Sequence, residues 1–278
     1  LPARRPGGRV TPADRAAARF PQCAARWSVT SRIDVDGVAV RFREAGEGPP
    51  VVLAHGLGMS ADYWWRNGPA LAAAGYRVLA PDFPGFGRTA ERDGEGDGLT
   101  VPEQAHFLAR FTARLRTGPA VFVGHSLAAQ SVLELGAHLP RACRGVVAVA
   151  PTGDRRRGRM LRELGGFLSD ALVEPLSLFP IVADAYLRSS VRHYWGTWRA
   201  GSHSDAFAAA HRTPCPALVV VGSNDPIVPV PFAAALADAL PRGRLVVVPG
   251  GSHAVIYDRA RHFNRVLLAF FAQLPGPE

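Results

Sequence analysis

The stretch Val121-Phe122-Val123-Gly124-His125-Ser126-Leu127-Ala128 decides how the rest of the chain is read. An apolar, β-branched run ends at a glycine, a serine follows, and helix-like spacing begins at once. A buried strand that turns directly into a helix leaves its corner residue on a sharp bend with the side chain projecting. The neighbours of that corner must be small, because the helix passes close to the strand it has just left. The usual pattern is G-x-S-x-G. Here the last position is Ala128, small enough for the same bend.

Outward from this corner, short apolar runs alternate with longer amphipathic segments. The runs are Val51–Ala54, Arg77–Ala80, Ala120–Val123, Gly145–Ala150, Ala217–Val221 and Arg244–Val248. Continuous apolar runs of this length suit parallel strands buried on both faces. Helical spacing is read over Gly68–Ala74, Pro102–Leu115, Ala128–Leu139, Pro231–Leu240 and Arg259–Leu274. Strand and helix in alternation predict a doubly wound α/β sheet with right-handed crossovers. Before them, Ile33, Val35, Val38, Val40 and Phe42 alternate with polar residues around Asp36-Gly37, which predicts a hairpin.

One gap interrupts the alternation. About sixty residues separate the run ending at Ala150 from the run starting at Ala217, more than a plain crossover needs. This predicts an inserted helical cap at 151–211, a core at 29–150 and 212–278, and a basic arm at 1–28. A short helix at 11–20, capped by Thr11, is expected within the arm.

The chain has 278 residues, 47% hydrophobic and 20% charged, which excludes a wholly disordered protein. Its net charge of +9 is concentrated at one end: residues 1–32 hold seven arginines against the single acid Asp14. All 32 basic residues are arginine, a compositional bias with no interleaved aromatic motif, so nucleic-acid binding is not expected. The three cysteines, Cys23, Cys143 and Cys215, make neither a disulfide framework nor a zinc site. No apolar stretch is long enough to span a membrane. The N-terminal arginines lack a following apolar segment, so a cytoplasmic location is expected. No metal spacing links the histidines, and no phosphate loop or dinucleotide fingerprint is present. No metal and no cofactor are therefore expected.

Serine alone is a weak nucleophile and needs a base and an orienting carboxylate. His253 follows the last run, and Asp225 follows the one before it. Loops beyond the carboxyl ends of strands are where sites gather in open α/β sheets. The order Ser126, Asp225, His253 is the one this constellation takes on such a sheet. Asp154 is a second candidate for the acid. The plainer readings are a helix-capping serine, a loop histidine and a turn aspartate. His55-Gly56-Leu57-Gly58 lets the Leu57 amide turn inward, and with the Leu127 amide it can form an oxyanion hole. His55, Trp64, Trp65, Phe86, His125, Trp195 and Trp198 are candidates for the substrate pocket, with core packing as the alternative. His55 is read as a brace for the oxyanion loop, and Asp82 through Gly87 as a structural turn.

From about residue 33 to the C-terminus the chain resembles the α/β-hydrolase superfamily. The resemblance rests on His55-Gly56-Leu57-Gly58, Ser60, Trp64, Asp82-Phe83-Pro84-Gly85-Phe86-Gly87, the corner at Ser126, Asp225 and His253. It implies an eight-stranded, mostly parallel sheet flanked by helices, with the cap inserted after the sixth strand. It also implies Ser126 as nucleophile, His253 as general base and acid, and Asp225 as the orienting carboxylate. The expected activity is hydrolysis of an apolar ester or thioester through an acyl-enzyme, with a small acyl compound as the partner. The alternatives are a diketone-type C–C hydrolase, a lyase, cyclase or acyltransferase on the same triad, and a non-catalytic small-molecule receptor. The oligomeric state is not legible.

Overall fold

The computed structural model describes Trp27 and residues 29–91, 98–153 and 176–275. Eight strands form one sheet: β1 (Val29–Val35), β2 (Val38–Ala45), β3 (Pro50–Ala54), β4 (Arg77–Pro81), β5 (Ala120–His125), β6 (Cys143–Val149), β7 (Ala217–Gly222) and β8 (Gly243–Val248). Their order across the sheet is β1-β2-β4-β3-β5-β6-β7-β8. The hairpin β1–β2 and the β2–β4 pair are antiparallel, and every other pair is parallel. Each expected apolar run lies on a strand, except that Ala150 falls just past the end of β6. β5 and β7 are buried along their whole length because helices cover both faces.

Among the described residues the helices are α1 (Gly68–Ala73), α2 (Val101–Arg114), α3 (Leu127–His138), α4 (Phe179–Arg188), α5 (Val191–Ser202), α6 (Ala206–His211), α7 (Val230–Ala239), α8 (Val255–Asp258) and α9 (Ala260–Phe271). Two apolar layers result. Leu108 and Phe111 of α2, Val132 and Leu133 of α3, Ala209 of α6 and Leu236 of α7 pack on one face with Val52, Phe122 and Val219. Leu71 of α1 and Phe263 and Leu267 of α9 pack on the other with Val51, Val121 and Val220. Truncating one such side chain, as in Leu133→Ala, typically costs about 2–5 kcal/mol.

Local chemistry agrees with these elements. Asp36 and Gly37 take φ of 55° and 85°, the left-handed pair that a two-residue hairpin turn requires. Thr100 and Glu103 form a reciprocal capping box at the start of α2, with the Thr100 amide donating to Glu103 Oε2 at 2.7 Å. The helices α4, α5 and α6 stand between β6 and β7. The expected helix at 11–20, the rival acid Asp154 and the first part of the expected cap lie outside the described residues. Trp27, assigned to the arm, packs on the α1 side of the sheet among the partly buried residues there.

Candidate active site

Ser126 ends β5 and begins α3 with φ 56° and ψ −115°, a conformation a side-chain-bearing residue rarely holds. Two features over-determine it. Its amide donates to the Val149 carbonyl of the neighbouring strand at 2.8 Å. Gly124 lets the helix return against the strand: a Cβ there would lie 2.2 Å from the Ala128 carbonyl oxygen. The corner is therefore fixed by backbone packing on both sides of the serine.

The loops after β7 and β8 bring two further groups to this corner. They are laced together by Ser223 N to Val248 O (3.0 Å), Asn224 N to Gly251 O (2.9 Å) and Gly250 N to Ser223 Oγ (2.8 Å). Asp225 sits on the first loop, and its Oδ1 accepts from the amides of Ile227 and Val228, both at 2.8 Å. Its Oδ2 lies 3.0 Å from His253 Nδ1. His253 Nε2 lies 3.0 Å from Ser126 Oγ. Burial alone would raise the Asp225 pKa. The facing His253, its hydrogen bond and the two amides outweigh that, and the net shift is downward. With the carboxylate ionised, His253 Nδ1–H donates to it, which leaves Nε2 to accept from the serine hydroxyl. Such a chain can draw the proton off a hydroxyl and return it.

Two neighbouring histidines brace the arrangement. His125 shares a hydrogen bond at 2.9 Å between Nε2 and the His253 carbonyl, and its ring lies 5.0 Å from the His253 ring. Burial, then the nearby His253 charge, push its pKa down to about 3, so it is neutral and Nε2–H is the donor. His55 Nδ1 lies 2.8 Å from the Gly56 carbonyl, and its Nε2 accepts from the Phe83 amide at 3.0 Å. Burial lowers its pKa as well, and the neutral ring ties the Gly56–Gly58 turn to the loop after β4.

A small cavity of about 20 Å³ opens beside Ser126. It is lined by Leu57, Ser126, Leu127, Gln130, Thr152, Gly153, Trp198, Gly201 and Ser202. Helix α5 closes it from outside. A Cβ on Gly201 would meet Leu127 Cδ1 at 2.1 Å, so the bare glycine sets how closely α5 approaches the corner.

Of the seven pocket candidates, Trp198 alone lines this cavity. Trp64 is fully buried in the opposite apolar layer, against Phe263. Its neighbour Trp65 is half exposed and lines a separate groove of about 690 Å³ beside Arg66, Tyr257 and Arg265. Phe86 is buried between His55 and His193, with ring centroids 6.0 and 5.1 Å away. Trp195 points outward, 53% exposed, with its ring edge-on to Trp198. His55 and His125 act as braces rather than walls. His55, Trp64, Phe86 and His125 are thus buried packing positions and Trp65 and Trp195 surface positions, a correction to the expected lining. Periodicity places a residue on a helix or turn but does not say which neighbour its face meets. Gln130, Thr152 and Gly201 were not singled out from sequence. For Gln130 the signal was present: it stands four residues after Ser126, one helical turn along the same face.

Asp82 is the centre of a second buried polar cluster. It accepts from Arg41 Nη1 (3.1 Å) and from the amides of Ala61 (2.7 Å) and Arg88 (2.8 Å). Arg41 also donates to Asp62, which pairs with Arg43 and Arg88 too. Arg88 reaches Asp184 of α4 at 3.1 Å.

Comparison with known proteins agrees with the fold. A family model described as the alpha/beta hydrolase family matches residues 51–265. A protein named as a carbamate hydrolase in Serratia proteamaculans is 28% identical over 246 residues, covering 80% of this chain and 90% of that one. The 2-hydroxy-6-oxo-6-(2'-aminophenyl)hexa-2,4-dienoic acid hydrolase of Metapseudomonas resinovorans is 26% identical, covering 87% of this chain and 90% of that one. Among solved structures, the enol-lactonase of Burkholderia xenovorans LB400 superposes with a TM-score of 0.76 at 22% identity, over 87% of this chain and all of that one, a likeness of fold. The relatives' names span several kinds of bond, whereas the matched region, which begins in β3, takes in the parallel strands, the serine corner and both loops that meet it. The chain belongs to the alpha/beta hydrolase family.

Proposed function

We propose that this enzyme is a serine hydrolase that cleaves a small acyl ester or thioester through an acyl-enzyme on Ser126. The observation that carries the reading is the unbroken relay from Ser126 Oγ through His253 to Asp225, with both contacts at 3.0 Å. Ser126 Oγ attacks the carbonyl carbon while His253 Nε2 takes the hydroxyl proton. The Asp225 carboxylate holds the imidazolium that forms. The negative charge on the carbonyl oxygen falls to the amides of Leu57 and Leu127, each such donor being worth about 2.7–4 kcal/mol in related chemistry. The C–O or C–S bond then breaks, and His253 gives its proton to the departing oxygen or sulfur. Water, deprotonated by the same ring, attacks the acyl-enzyme; the carboxylic acid leaves and Ser126 is restored. In this reading residues 151–211 form the cap, while 29–150 and 212–278 carry the reaction.

The test is active-site labelling with a fluorophosphonate together with turnover of p-nitrophenyl acetate. Label on Ser126, and a loss of about three orders of magnitude or more in Ser126→Ala, is the expected result. Near-full turnover by that variant overturns the assignment. A diketone screened in parallel separates ester hydrolysis from the C–C cleavage implied by the name of the Metapseudomonas relative.

A further inference from the structure

Gln130 is 1% exposed and lines the cavity beside Ser126. Its Nε2 donates to Thr152 Oγ1 at 3.1 Å. Its Oε1 is buried and has no hydrogen-bond partner among the described residues. The amide packs against a wall that is bare by conformation: Gly153 holds φ +106°, and a Cβ there would lie 2.8 Å from its Cδ and Oε1 and 3.0 Å from its Nε2. An amide oxygen taken out of water without a donor is costly, and an apolar side chain of similar shape would avoid that cost. Retaining the amide here is therefore a clue to what enters.

We infer that Gln130 is a specificity-determining residue that accepts a hydrogen bond from an O–H or N–H on the acyl part of the substrate. The inference rests on the acyl-enzyme reading above. The acyl side is favoured because the cavity is walled by Ser126, Leu57 and Leu127, the nucleophile and the two proposed oxyanion donors. His253, which would protonate the leaving group, is not among its lining residues. The small volume further restricts the occupant to a short polar branch close to the reacting carbonyl. The substrate class is thus a short hydroxy- or amino-bearing acyl compound rather than a plain alkanoyl one. A site built to bond a hydroxyl discriminates strongly against the isostere that lacks it, since its own polar group is then left unpaired.

The experiment compares kcat/KM for p-nitrophenyl 2- and 3-hydroxybutyrate with the 2- and 3-methylbutyrate isosteres. Each ratio is measured in the wild type, Gln130→Leu and Gln130→Glu. Comparing ratios between proteins cancels the intrinsic reactivity of each ester. In Gln130→Leu the hydroxy-to-methyl ratio is expected to fall about tenfold or more for at least one position, and Gln130→Glu, which keeps an acceptor, is expected to retain the preference. Ratios that do not move in Gln130→Leu overturn the inference. If the leucine variant does not fold, Gln130→Met, equally without an amide, is read in the same way. Ser126→Ala, assayed alongside on both esters, separates the two levels. Loss of turnover there with unmoved Gln130 ratios sinks only the inference, whereas retained turnover sinks the acyl-enzyme reading itself.

Discussion

Two buried carboxylates stand near the carboxyl edge of the sheet, and they are held in opposite ways. Asp82 is surrounded by donors that cannot give up a proton near neutral pH: the Arg41 guanidinium and two backbone amides. Asp225 shares its burial and its pair of amides, but its third partner is an imidazole. The far nitrogen of that ring reaches a hydroxyl on a strained corner. The first cluster is closed, so it fixes the loops after β3 and β4. The second ends in a group whose proton can move. Burial of an acid therefore says little about catalysis; what its partner can do with a proton says much more.

The sharpest way to break this contrast is Asp225→Asn. The amide can still accept from Ile227 and Val228, yet it no longer holds His253 Nδ1–H or stabilises a charged ring. Turnover of p-nitrophenyl acetate is expected to drop by about 10³–10⁴-fold in a folded protein. A drop of less than tenfold would place Asp225 with Asp82 as a structural carboxylate. Asp82→Ala is expected to do the reverse. It leaves Arg41 partly uncompensated and strands the amides of Ala61 and Arg88, so stability in urea should fall by about 3–5 kcal/mol. The turnover of the molecules that remain folded should change far less than in Asp225→Asn. Equal stability of variant and wild type would show that Asp62 alone neutralises Arg41.

The smallest effect concerns His125, whose pKa is held at about 3 in the fold against 6.5 for the free side chain. As the pH falls below 6.5, the unfolded chain takes up a proton that the folded chain refuses, so stability is full above that value and declines toward pH 3. His125→Gln keeps a donor for the His253 carbonyl and loses the titration. Its unfolding free energy is expected to fall less steeply than that of the wild type between pH 7 and 5. Parallel slopes would mean that His125 does not govern acid lability.

The sheet was legible because its strands are buried on both faces and their runs stand out without alternation. β1 was the partial exception: it begins at Val29, before the Ile33 from which it was read. Thr30, Ser31 and Arg32 belong to a strand that, among the described residues, pairs with β2 alone, and their polarity hides the pairing. The positions of Ser126, Asp225 and His253 followed from chain order and strand ends, since each is tied to its loop by local backbone geometry. The pocket wall did not follow. Trp64 and Trp65 are consecutive, yet one is enclosed beneath α9 and the other meets solvent, a difference decided by the packing of a single turn. The spacing of Gln130 from Ser126 puts it on the serine's face of α3, but an unpartnered oxygen there becomes visible only when every neighbour has been placed.

The bare backbone at Gly201 has a bearing on how this enzyme can diversify. One added methyl on that outer helix would press on Leu127, the residue after Ser126, without altering Ser126, His253 or Asp225. Rate and selectivity here are open to tuning by bulk alone, from a position that carries no chemistry of its own.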